Sequence, residues 1–397
     1  MAFIANTTTV ITNRSAVIDP SFDRQYYANG SISSTISGTE QTFTEGTPAT
    51  NHYYGSAVAV GNGRIAISYY NGSSYNVEIR DINYNLIKTL TNEGTAAGAN
   101  PGSIAIGNGR VVIGDTTAQD IQIYDLNANV QSIQKLGTGV ASGDQFGIAL
   151  DVGCGKIVVG ARTDDDTGTS SGSAYIFDLA GTQEAKIGAS DQTAGRLFGS
   201  SVAIGHSRIV IGSPGDNAGD PLPGGLAYVF DMSGRELYKL RHGSASADGD
   251  GFGTSVAIGC KRIVCGSPGD DTPSSGAGSA CLFDLQGNHI AMLYSENPAT
   301  GGFFGSYVGI SDGHIVVSGN QSADPYTYIF DLNGNHIETI ANASGGSLGD
   351  LAIGCNRIIR GHRNKTVNSL TNAGQVLAYK LEGSFGSYYE NVVDMKT

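Results

Sequence analysis

The sequence predicts an all-β protein: a seven-bladed β-propeller of four-stranded antiparallel blades, preceded by an extended N-terminal arm. Three observations carry the prediction. First, the stretch 252–293, FGTSVAIGCKRIVCGSPGDDTPSSGAGSACLFDLQGNHIAML, reads as four short strands. SVAIG and RIVCGS flank a tight turn at Cys260 and Lys261, SACLFDL follows a Gly/Ser/Pro/Asp loop, and HIAML follows a second turn at Gln286 to Asn288. Second, copies of this unit run from about residue 52 to 381. The residues that close their first strands are Gly61, Gly107, Gly153, Gly205, Gly259, Ser311 and Gly354. Their spacings of 46, 46, 52, 54, 52 and 43 suit a four-stranded blade with insertions in its loops. Third, 58 Gly and only 15% charged residues favour turn-rich β structure over helix.

Residues 1–38 stand outside the repeat. They are polar and β-branched, with Phe22, Tyr26 and Tyr27 among Ser, Gly and Asn. Such a segment cannot bury a core of its own, and its aromatic content suits an arm that orders against a partner chain. Residues 39–384 are assigned to the propeller and 385–397 to a C-terminal tail. Propellers complete one blade with strands from both chain ends. Phe43 lies 18 residues before Gly61, as Leu293 lies 18 before Ser311, which places an N-terminal strand at the outer position of blade seven. The C-terminal run SYYENVV is the rival, because Asn391 follows Tyr379 by 12 residues as Leu240 follows Tyr228.

Blade one spans 52–91 and blade two 100–136, the latter with Pro101 where later blades have Phe. Blades three to six open on Phe146, Phe198, Phe252 and Phe304, and blade seven is worn down to Leu348-Gly349. A Phe at the start of the innermost strand wedges between blades, and the Gly after it permits close backbone approach near the axis. The third strands end on an aromatic followed by Asp125, Asp178, Asp231, Asp284 or Asp331. An Asp recurring before a turn is best spent on the turn's N–H groups.

A net charge of −13 argues against nucleic-acid or anionic-membrane partners. No apolar run approaches the roughly 18 residues needed for membrane insertion, and the N-terminus has no signal-peptide pattern. Of five cysteines, Cys154, Cys260 and Cys355 occupy equivalent turns of separate blades, and Cys265 and Cys281 lie in strands of blade five. Free thiols made in a reducing cytoplasm follow. The seven histidines show no catalytic or metal-ligand spacing, so no catalytic residue, metal or cofactor is assigned.

FGSSVAIG...RIVIGSPGD and FGTSVAIG...RIVCGSPGD resemble FG-GAP repeats, the integrin-type blade motif. That family commonly carries an acidic calcium loop between the first two strands, here reduced to pairs such as Asn62-Gly63 and His206-Ser207. The style of GDQFGIALDVGCGKIVVGARTDDDTGTSSGSAYIFD, with the short leader, resembles virion structural proteins of marine tailed phages, notably cyanophages. The resemblance implies a non-enzymatic tail or tail-fibre component, located in the virion and made in the host cytoplasm. It implies a homo-oligomer that meets other virion proteins through its arm and a host receptor or glycan through its ring. A carbohydrate- or cation-binding adhesin is the alternative, and a propeller enzyme would need carboxylates converging at the channel mouth. Short turns fall on one face of the disc and long, variable loops on the other. The expected contact residues are therefore Asp164, Asp165, Asp166, Asp216, Asp220, Asp270 and Asp271.

Overall fold

The computed structural model describes residues 41–91, 101–135, 137–215, 224–242, 249–272, 274–319, 326–340 and 350–381. They form 28 strands in seven antiparallel four-stranded sheets, with no helix among the described residues. The innermost strands are Val58–Gly61, Pro101–Gly107, Phe146–Gly153, Ser201–Gly205, Val256–Gly259, Tyr307–Ser311 and Asp350–Gly354. Each touches the innermost strand of the next blade, and the last touches the first, so the ring is closed.

Local backbone chemistry sets the blades. Every first hairpin turns on two residues with positive φ, from Asn62-Gly63 and Asn108-Gly109 to His206-Ser207, Cys260-Lys261 and Cys355-Asn356. That is the turn whose twist matches paired strands, and several blades accept the strain of a non-glycine pair. The second hairpin is held by the recurring Asp. In blade five, Asp284 Oδ1 accepts the N–H groups of Gln286 and Asn288, each at 2.9 Å. Asp125, Asp178, Asp231 and Asp331 do the same, as does Asp81 in blade one. Lys380 takes the corresponding place in blade seven, whose outer strand comes from the N-terminal segment instead.

The seams between blades hold the core. Phe252, fully buried, packs on Ala203, Val210 and Leu240 of blade four and on Ile263 and Phe283 of its own blade. Phe146, Phe198 and Phe304 wedge the neighbouring seams, and Tyr54 fills the seam between blades seven and one. The glycine after each wedge is not at the axis, contrary to the sequence expectation. Gly147, Gly199, Gly253 and Gly305 lie against Gly114, Gly160, Gly212 and Gly266 in the second strand of the preceding blade, where a Cβ on the latter four would sit 1.9–2.3 Å from the carbonyl oxygens of the former. Axial crowding falls instead on the glycines that close the first strands: a Cβ on Gly107 would sit 1.9 Å from Val152 O of the next blade.

Gln41–Phe43 pairs with Gln375–Lys380, with Phe43 opposite Val376, so the N-terminal strand closes blade seven. The register matches the spacing argument, because Leu293 stands opposite Ala280 at the same ladder position of blade five. The Phe43 ring also lies 4.9 Å from Tyr84 of blade one, tying the closing strand to the next blade. The arm residues Phe22, Tyr26 and Tyr27, Leu348-Gly349 and the tail 385–397 lie outside the described residues.

Candidate functional site

With strands alternating in direction, connections from second to third strand and from blade to blade share one face. On it, blades one, three, four, five and six are each latched to the blade before by the N–H of the wedge residue. Phe198, Phe252, Phe304 and Tyr54 donate to Ser171 O, Gly224 O, Ala277 O and Ala373 O at 2.7–3.0 Å. The loop of blade two is too short to offer such a carbonyl. There Phe146 N–H donates to the side-chain Oε1 of Gln119 at 2.9 Å.

The acidic loops of blades three and five are built alike. Asp164 and Asp270 are buried, 1% and 4% exposed, and their carboxylates face inward. Asp164 Oδ2 accepts the Tyr175 hydroxyl at 3.0 Å and lies 2.8 Å from Lys186 Nζ, while Oδ1 accepts Asp166 N–H. Burial alone would lower the Lys186 ammonium, but Asp164 and Asp166 outweigh it and hold its pKa above the usual lysine range. Asp270 Oδ2 lies 3.2 Å from Nε2 of buried His242, and Oδ1 accepts Thr272 N–H at 2.9 Å. Burial works to raise the Asp270 carboxyl, yet the His242 and Ser279 side chains and that N–H hold it at about 2.

Asp165 and Asp271 stand beside these residues but are exposed. Each accepts one N–H five residues on, from Ser170 and Gly276. Asp166 is exposed and pairs with Lys186. Of the contact residues expected from sequence, the structure thus turns Asp164 and Asp270 inward and Asp165, Asp166 and Asp271 outward. Asp216 and Asp220 lie outside the described residues.

Two further polar groupings escaped sequence reading. In blade four, Lys239 Nζ lies 2.7 Å from Asp191 Oδ2, and the Tyr228 hydroxyl donates to Asp191 Oδ1 at 2.8 Å. Tyr228 and Lys239 are a cross-strand pair, as Tyr175 and Lys186 are, so the Tyr/Lys recurrence was the available signal. In blade one, Glu78 is buried between the Tyr54 hydroxyl and Arg80, at 2.7 and 2.6 Å. Among the described residues, no three His, Cys, Asp or Glu side chains gather in a metal-binding group. None of the five cysteines is in a disulfide, and Cys265 and Cys281 stand opposite each other in the ladder between two buried strands.

The FG-GAP repeat family matches residues 136–177, 182–230 and 242–283, about a third of the chain. The matched segments span the wedge, first hairpin and aromatic third strand of blades three, four and five. No curated protein sequence matches the chain. The protein is a seven-bladed, all-β propeller that carries FG-GAP repeats in its third, fourth and fifth blades.

Proposed function

We propose that the protein is a non-enzymatic virion structural protein, a tail or tail-fibre component of a tailed bacteriophage. It assembles as a homo-oligomer through its N-terminal arm and presents the loop face of the ring to a neighbouring protein or a host-surface glycan. The observation that carries the reading is how the loop-face carboxylates are divided. Asp164 and Asp270 hold the loops from inside, which leaves Asp165, Asp166 and Asp271 projecting from a braced platform. A braced exposed loop loses little entropy on binding, so it suits recognition. Placement in a phage tail rests on the resemblance of the leader and repeats to such proteins.

Two manipulations of virions test this. Deleting residues 1–38 leaves a folded ring that no longer enters particles, whereas normal incorporation removes the arm from assembly. Replacing Asp165, Asp166 and Asp271 together by Asn preserves folding and lowers the host adsorption rate. If adsorption and particle assembly are both unchanged, the loop face has no contact role.

A further inference from the structure

The corner where the second strand of blade two turns into the third differs from every counterpart described. The residue pair that closes this corner is Ala161–Ser173 in blade three, Ser213–Leu226 in blade four, Ser267–Ser279 in blade five and His362–Gln375 in blade seven. In blade one the equivalent pair is Tyr69–Asn76, one step before the Tyr70–Tyr75 pair that ends the ladder. In blade two it is Asp115–Asp120, two carboxylates directly opposite each other and therefore on one side of the sheet.

Both side chains are buried, 1% and 3% exposed. Asp115 Oδ1 is occupied, accepting the N–H groups of Thr117 and Ala118 at 2.8 and 3.0 Å. Asp115 Oδ2 and Asp120 Oδ1 are buried with no hydrogen-bond partner. On this face buried Asp164 and Asp270 each have a basic side chain beside them, Lys186 and His242. Where blades four and five place Ser213 and Ser267, the hydroxyl donates to a loop carbonyl, which an ionised carboxylate cannot do.

We propose that Asp115 and Asp120 form a site for one hard divalent cation, Ca²⁺ or Mg²⁺. Two facing carboxylates cannot both stay ionised in a buried corner without a positive charge between them. A hard dication meets that need with two carboxylates, taking its remaining oxygens from backbone carbonyls and water. The competing solution is a shared proton. Burial, and then the Asp115 charge, raise the Asp120 carboxyl to about 6. The site lies between second and third strands, on the face opposite the first-hairpin turns.

Calorimetric titration of the full chain at about neutral pH with CaCl₂ and MgCl₂, after chelation, tests the proposal. The expected result is one site of about 10⁻⁴ to 10⁻³ M for at least one ion, the range of weakly charged oxygen sites. Saturation should also raise the thermal unfolding midpoint. Asp120→Asn and Asp120→Ser, the latter copying Ser173 and Ser279, should fold with wild-type circular dichroism, and both lose the binding heat and the thermal shift. No heat and no shift with either ion overturns the proposal, and so does unchanged binding by the variants. Wild-type unfolding that responds to pH near 6 but not to either ion assigns the pair a shared proton and overturns it as well.

Discussion

Blades two and five have the same strand order and the same turn chemistry, yet they solve the loop-face corner in opposite ways. Blade five opens on a fully buried Phe252 and carries a long loop whose Asp270 is matched by His242. Blade two opens on Pro101 and turns over four residues, leaving Asp115 and Asp120 face to face. The seam it shares with blade one is filled by aliphatic residues such as Ile79, Leu90 and Ile104 and by Tyr124, with no Phe among its described core residues. Loop length is what separates the two. The long loop of blade five brings a backbone carbonyl to the next blade's wedge and seats Asp270 beside His242 of the connection that leads into the blade. A four-residue turn reaches neither, so Gln119 lends its side chain to Phe146 and the Asp pair is left unmatched.

The largest effect is expected at the wedge. Phe252→Ala should cost about 3–5 kcal/mol by chemical denaturation, the range for an aromatic removed from a packed core. A cost under about 1 kcal/mol would mean that the Phe-wedged seam of blade five is no tighter than the seam of blade two, which has no Phe among its described core residues. Next comes the matched carboxylate. Asp270→Ala removes the acceptor of Thr272 N–H and the acid beside His242, and should cost about 1–3 kcal/mol.

The same corner predicts opposite pH slopes for the two blades. Asp270 sits at about 2, below the unfolded value of about 3.9. Its contribution is therefore present above pH 4 or so and fades as pH falls through about 2. Asp120 sits at about 6, above the unfolded value, so in metal-free protein its contribution is full below about pH 4 and is lost as pH rises through about 6. Unfolding measured across this range in wild type, Asp270→Ala and Asp120→Asn should show each slope vanish with its residue.

The smallest effect belongs to the opposite face. Asp284→Ala should cost about 0.5–1.5 kcal/mol, because the turn that it holds is near solvent and water replaces its bonds. A loss as large as that of Asp270→Ala would erase the distinction between a turn residue and a buried corner residue.

Much of this was legible in the residues alone: the seven copies, the strands and turns within each, the role of Asp284 and its counterparts, and even the partner of Phe43. These follow from interactions within a few residues, or from a spacing repeated seven times, and both are written along the chain. What tertiary structure alone decided is which neighbours in sequence share an environment. Asp164 and Asp165 are adjacent, yet one is buried against Tyr175 and Lys186 and the other faces solvent. Gly147 and Gly107 both need to lack a side chain, but the first meets the second strand of the preceding blade and the second meets the innermost strand of the next. Asp115 and Asp120 look like two turn residues until the ladder sets them opposite each other. Burial, pairing and charge compensation are set by segments tens of residues away, whose distance from any one carboxylate is fixed only when the ring closes.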